Sequence, residues 1–261
     1  VLAVAVRAAR RAAAVITDAS RDLRRLPTYS KEHGDIVSAT GREAQQAIVA
    51  TLSAAFADHA ILSNENDRTP SANADSPYRW IVDPLDGTMN FVHGYPYFAV
   101  SIALAHGSDL THAVVLDPMR DELFTAIKGG GAQLNAVPIH TSACTRMQDA
   151  LIGTVIPVRK SPRLARFLTI FDALATRCTL RRAGAGSLDM AYVATGRLDG
   201  FFEMSLGTWD VAAGALLVSE AGGRVGDFAG SPDFMRGNEV IAAAPGIFNP
   251  LREAIASVLP H

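Results

Sequence analysis

Residues 80–91 read Trp-Ile-Val-Asp-Pro-Leu-Asp-Gly-Thr-Met-Asn-Phe, and this stretch constrains the fold more than any other. The apolar run Trp80–Val82 predicts a buried strand, and two carboxylates follow it, Asp83 and Asp86. Pro84 is expected to stop the strand, because proline lacks the N–H a ladder needs. Gly87 then allows a tight turn, and Thr88 can open a new helix or turn whose first N–H groups point outward. Carboxylates bind hard cations and helix N-termini bind anions. The segment is therefore a place where a divalent cation and a phosphate can meet.

Asp-Pro and Asp-Gly are also ordinary turn chemistry, so the segment alone could be a loop. Two further stretches argue for more. Thr208-Trp209-Asp210-Val211-Ala212-Ala213-Gly214 predicts a small-residue helix with an acid in its first turn, and Glu65 follows the apolar pair Ile61-Leu62. Each acid has a plain alternative: Glu65 as a surface acid after a strand, Asp210 as a residue favoured by the helix macrodipole.

Together these stretches resemble the inositol monophosphatase family of metal-dependent phosphatases. Its pattern is a Glu after a strand, then Asp-Pro-(Ile/Leu)-Asp-Gly-Thr-x-Asn-Phe, then Trp-Asp-x-Ala-Ala-Gly. The resemblance runs over nearly the whole chain and takes in Asp117-Pro118, Gly129-Gly130-Gly131-Ala132, Gly196-Arg197-Leu198-Asp199-Gly200 and Glu220-Ala221-Gly222-Gly223. Within the family the chain is most similar to bacterial members of the extragenic suppressor (SuhB) type. The resemblance implies a five-layer α-β-α-β-α sandwich, a layered α/β fold also seen in fructose-1,6-bisphosphatase. The metal site would lie at the junction of an N-terminal half, 1–139, and a C-terminal half, 140–261.

It also implies two or three Mg²⁺ ions. Asp83 would bridge two of them. Glu65, the Leu85 carbonyl and the Thr88 hydroxyl would complete the first, and Asp86 and Asp210 would hold the second. Gly87 and Thr88 would receive the phosphate, and Glu65 and Thr88 would serve the attacking water. Asp86, Ala185 and Glu203 would meet the substrate, a phosphorylated polyol such as inositol 1-phosphate. For Glu203 an edge-strand carboxylate is the alternative. Inhibition by lithium and a homodimer are implied too.

Three departures qualify this. The stretch Asp35–Gly41 resembles the family's Asp-x-Val-Thr-x-x-Asp, but Gly41 replaces the final acid that pairs with the motif threonine. Loss of a general base typically costs about 10²–10⁴ in rate, so weakened catalysis is expected. Ser63-Asn64 replaces the usual Gly-Glu before Glu65. Gly184-Ala185-Gly186-Ser187 aligns with Gly-(Ser/Thr)-Ala-Ala, so the hydroxyl is missing at Ala185.

Bulk properties agree with a globular protein. A net charge of −2 gives no general drive toward nucleic acid, and two cysteines in 261 residues make no disulfide framework and fit a reducing cytoplasm. Val1–Ile16 is apolar but carries Arg7, Arg10 and Arg11, which excludes a membrane span and predicts an amphipathic helix. It has no signal-peptide cleavage pattern. The missing initiator Met leads us to expect numbering that begins inside a longer chain.

Helices are predicted at 1–26, 42–59, 162–177, 187–195 and 209–221. Strands are predicted at 60–62, 78–82, 98–105, 111–116, 123–127, 150–156, 179–182, 200–203 and 224–227. Residues 27–40 read as a loop over the site, and 66–76 as a surface loop. The strands from 98 to 127 predict an antiparallel meander, and the second half a partly parallel arrangement. The resemblance implies one of two functions: a Mg²⁺-dependent phosphomonoesterase, or a regulator bound to RNA polymerase or a transcription factor, with phosphatase activity residual or lost.

Overall fold

The computed structural model describes residues 1–21, 33–64, 73–157, 161–205, 207–237 and 239–259, with only the backbone of 33–38 and 236–237. The first helix, α1 (Leu2–Arg21), buries Ala5, Ala8, Ala9, Ala12, Ala13 and Ile16 and leaves its arginines outside. That stripe recurs every three or four residues, as a helix requires. Small alanines let it lie close against α2 (His33–Ala55), which buries Ala44, Ile48 and Leu52. Residues 33–40 are thus helical rather than loop. Gly41, which stands in place of the pattern's acid, sits within the helix and is buried, so packing overrides its low propensity.

The first sheet follows: β1 (Ala60–Ser63), β2 (Tyr78–Asp86), then, after the short helix α3 (Thr88–Val92), β3 (Ala99–His106), β4 (Asp109–Asp117), β5 (Glu122–Ile127), β6 (Gly131–Leu134) and β7 (Val137–Pro138). The seven strands pair in chain order, β1 with β2 parallel and the rest antiparallel. Alternation sorts the side chains. Trp80, Val82, Phe98, Val100, Ile102 and Leu104 pack under α1 and α2. Ile81, Ala99, Ala103, Val115 and Phe124 face the opposite way.

The second sheet comprises β8 (Leu151–Thr154), β9 (Thr179–Arg181) after α4 (Leu164–Ala175), β10 (Gly200–Glu203) after α5 (Gly186–Ala194), β11 (Arg224–Gly226) after α6 (Thr208–Glu220), and β12 (Val240–Ala243) after α7 (Phe234–Gly237). Its order is β11-β12-β10-β8-β9, with β10, β8 and β9 parallel and β12 antiparallel to both neighbours. Helix α8 (Pro245–Ala256) follows β12. The sequence reading stops at 227 and misses β12 and α8, because Pro245, Gly246 and Pro250 punctuate that tail. Pro245 starts the helix, where its missing N–H costs nothing.

Helices α5 and α6 are buried on nearly all sides, as helices between two sheets must be. They contact β3 and β4 on one side and β12 on the other. A Cβ at Gly214 of α6 would lie 2.5 Å from Met190 Cβ of α5, so glycine permits their close approach. On the outer face of the second sheet, Phe167, Ile170 and Leu174 of α4 join Ile247, Phe248 and Leu251 of α8. The layers read α1/α2, sheet, α5/α6, sheet, α4/α8, the expected five-layer sandwich. No helix among the described residues is long and apolar enough to cross a membrane.

Candidate metal and phosphate site

Residues three apart on a regular strand face opposite ways, so Asp83 and Asp86 could not share a pocket. The structure resolves this with a bulge. Asp83 pairs with Ser101 and Asp86 with Ala99, so three steps on β2 match two on β3. The extra residue reverses the facing of everything after it. Leu85 accordingly joins Trp80 and Val82 under the outer helices, while Asp86 turns to the side of Asp83. Pro84 therefore does not end the strand as expected. It occupies the bulge, where a ladder N–H is not needed.

Asp210 reaches the same side from the first turn of α6. It accepts the Gly207 N–H at 2.7 Å on Oδ2. Its helix-terminal role and its place in the cluster are thus compatible. The Ser101 hydroxyl donates to the Trp209 carbonyl at 3.4 Å and ties this turn to β3. The outcome is that ligand oxygens of Asp83, Asp86 and Asp210 lie within 4.8 Å of one another.

Such crowding is costly for three bare anions. Burial, then the charges of Asp86 and Asp210, hold the Asp83 carboxyl well above the ordinary range, despite a hydrogen bond from the Leu85 N–H at 3.1 Å. Burial and Asp210 push Asp86 up to about 7, and burial raises Asp210. An oxygen-only set with excess negative charge suits a hard divalent cation, which would relieve the repulsion that raises these groups. The residues present fit Mg²⁺.

The other predicted residues fall as follows. Gly87 adopts φ +87°, and a Cβ there would lie 3.0 Å from the Tyr97 carbonyl oxygen. Glycine is required. Thr88 is the first residue of α3, half-buried beside Asp86 in sequence. Asn90 of α3 donates to the carbonyls of Tyr97, at 2.7 Å, and Ala183, at 2.9 Å, joining the turn to the segment before α5. Ala185 is buried in that segment, immediately before α5. Glu65 lies outside the described residues.

Glu203 ends β10, the central strand of five, so it is not the edge-strand carboxylate weighed above. It is 1% exposed, and its Oε2 has no partner. Burial pushes it up to about 8, against backbone hydrogen bonds from Met204 and Val155, and Asp210 is close enough to add to the rise.

Two contributors escaped the sequence reading. Ser187 donates both its amide N–H, at 2.8 Å, and its hydroxyl, at 2.5 Å, to Asp86 Oδ2. Tyr97 donates its hydroxyl to Asp189 Oδ1, while Asp189 Oδ2 is buried without a partner and burial pushes this carboxyl up to about 8. An acid within the apolar helix Gly186–Ala194 was a readable signal for Asp189. Nothing in the sequence pointed Ser187 at Asp86.

A layered α/β fold enclosing three convergent carboxylates beside a glycine turn defines a class of protein able to hold a metal ion. The profile of the inositol monophosphatase family matches residues 1–259, and this chain belongs to that family. It is 44% identical to the Nus factor SuhB of Pseudomonas aeruginosa over 99% of this chain and 97% of that protein. The Nus factor SuhB of Escherichia coli is 38% identical, over 94% and 92%. Among solved structures, the extragenic suppressor protein SuhB of Bartonella henselae aligns with TM-score 0.90 at 38% identity, covering 98% of each chain. The inositol monophosphatase of Anabaena aligns with TM-score 0.88 at 32% identity, covering 99% and 96%.

Proposed function

We propose that this protein is a Mg²⁺-dependent phosphomonoesterase acting on inositol 1-phosphate or a similar polyol phosphate. The observation that carries this reading is the convergence of Asp83, Asp86 and Asp210. Bound divalent cations would supply charge neutralisation, an activated water and support for the leaving oxygen. In this reading Asp83 would be the shared ligand, Glu65, the Leu85 carbonyl and Thr88 would complete one ion's set, and Asp86 with Asp210 would hold the other. The N–H groups of Gly87 and Thr88 receive the phosphate, the Thr88 hydroxyl and Glu65 orient the water, and Ala185 and Glu203 lie against the polyol. The two halves, 1–139 and 140–261, each contribute acids, and the active form is a homodimer. A phosphate-release assay across polyol phosphates with and without Mg²⁺ tests it. Absence of Mg²⁺-dependent release from every ester would overturn it.

A second reading has its own support. The relatives named Nus factor SuhB at 38–44% identity match this chain along most of its length. Gly41 also stands where the family pattern has its water-orienting acid. We propose that the protein also binds the transcription machinery. Pull-down against RNA polymerase and its elongation factors, with Asp83→Asn as the comparison, tests this. A scaffold keeps its partner in that variant, whereas an enzyme loses its activity.

A further inference from the structure

The pattern Gly-(Ser/Thr)-Ala-Ala has a hydroxyl at its second position and alanine at its fourth. In this chain the second position is Ala185 and the fourth is Ser187, so the hydroxyl stands two residues further along. That shift decides what it touches. Ser187 is fully buried in the first turn of α5, and its hydroxyl ends on Asp86 Oδ2 at 2.5 Å. Its amide N–H ends on the same oxygen at 2.8 Å. Two donors fill both lone pairs of that atom. The Gly186 N–H also bears on this carboxylate, and with Oδ2 filled the oxygen left to face an ion is Oδ1.

An aspartate carboxylate rotates easily about its last bond, where the torsional wells are broad. The amide bond alone would be present with alanine at this position. The hydroxyl is what Ser187 adds beyond the alanine of the quoted pattern, and a second donor holds the carboxylate plane. Partners of this kind orient metal ligands without touching the ion.

We propose that Ser187 is a positioning residue for divalent-cation binding, locking Asp86 so that it meets an ion through one oxygen. The proposal rests on the metal-dependent reading above. It also means that the hydroxyl absent at Ala185 is not restored to the substrate by Ser187, because Asp86 already engages it.

The test is Mn²⁺ titration of the full chain without substrate, followed by calorimetry and electron paramagnetic resonance, in wild type and Ser187→Ala. Alanine is a good helix residue and the pattern's own residue there, so the variant is expected to fold. The expected result is two Mn²⁺ sites in wild type and, in the variant, a loss of about 10–100-fold at one of them. The other site and the melting temperature of the metal-free protein stay unchanged. Equal affinity in both proteins overturns the proposal. So does a uniform weakening of both sites with a lowered metal-free melting temperature, which marks a structural role. If wild type itself binds no Mn²⁺, the metal-dependent reading falls first and this proposal with it, a result distinct from failure of Ser187 alone.

Discussion

Asp83, at the bulge of β2, and Asp210, in the first turn of α6, bring carboxyl oxygens within 4.8 Å of each other from opposite halves of the chain. Burial raises both carboxyls, and the charge of Asp210 adds to the rise at Asp83. Without metal the cluster therefore holds protons that an unfolded chain would have released by neutral pH.

The sign of the resulting pH dependence follows. Carboxyls raised in the folded state bind more protons there than in the unfolded chain, so stability falls as pH rises. The window opens near the ordinary carboxylate values and extends to about 7 for Asp86 and about 8 for Asp189 and Glu203. In EDTA the melting temperature should decline from pH 5 to pH 8. Saturating Mg²⁺ at pH 8 should recover it, since a ligand of the folded state alone stabilises it. A metal-free melting temperature that climbs over this range would contradict the buried cluster.

Asp83→Asn removes one of the three converging carboxylates. Divalent-cation affinity should drop by more than the roughly 10–100-fold typical of an outer-shell change. Metal-free stability should hold or rise, because a buried repulsion is relieved. Calorimetric titration beside thermal unfolding reads both effects.

Gly87→Ala should destabilise the protein by about 1–2 kcal/mol from the left-handed backbone alone. Crowding against the Tyr97 carbonyl adds to this. Urea midpoints measure the loss. Phosphate affinity should weaken with it, because this turn leads from Asp86 into the first N–H groups of α3.

Gly41→Asp restores the acid of the family pattern. Turnover on inositol 1-phosphate should rise, with a ceiling of about 10²–10⁴-fold, and KM should change little. Steady-state kinetics decide, and an unchanged kcat would show that water activation does not depend on this position.

Much of the architecture was legible in the chain. The alanine stripe of α1, the antiparallel meander from β3 to β5 and the alternation in the second half all follow from local periodicity. The start of α2 reads as loop because residues 27–40 are polar and include Gly34, and the tail reads as irregular because of its prolines. Both errors have one cause: tertiary burial outweighs propensity differences of about 1 kcal/mol per residue.

The site divides along the same line. Residue identity alone determined that two acids bracket a proline before a glycine turn, that a third opens a small-residue helix, and that these match one family. Only the tertiary structure decided that the acids meet. A regular strand would have turned Asp86 toward Val82 and the outer helices, and one extra residue opposite Ser101 and Ala99 turns it to Asp83 instead. Sheet order likewise put Glu203 in the interior, and helix packing brought the Ser187 hydroxyl onto Asp86. Facing and register depend on the partner strand, and no local stretch of sequence carries its partner's position.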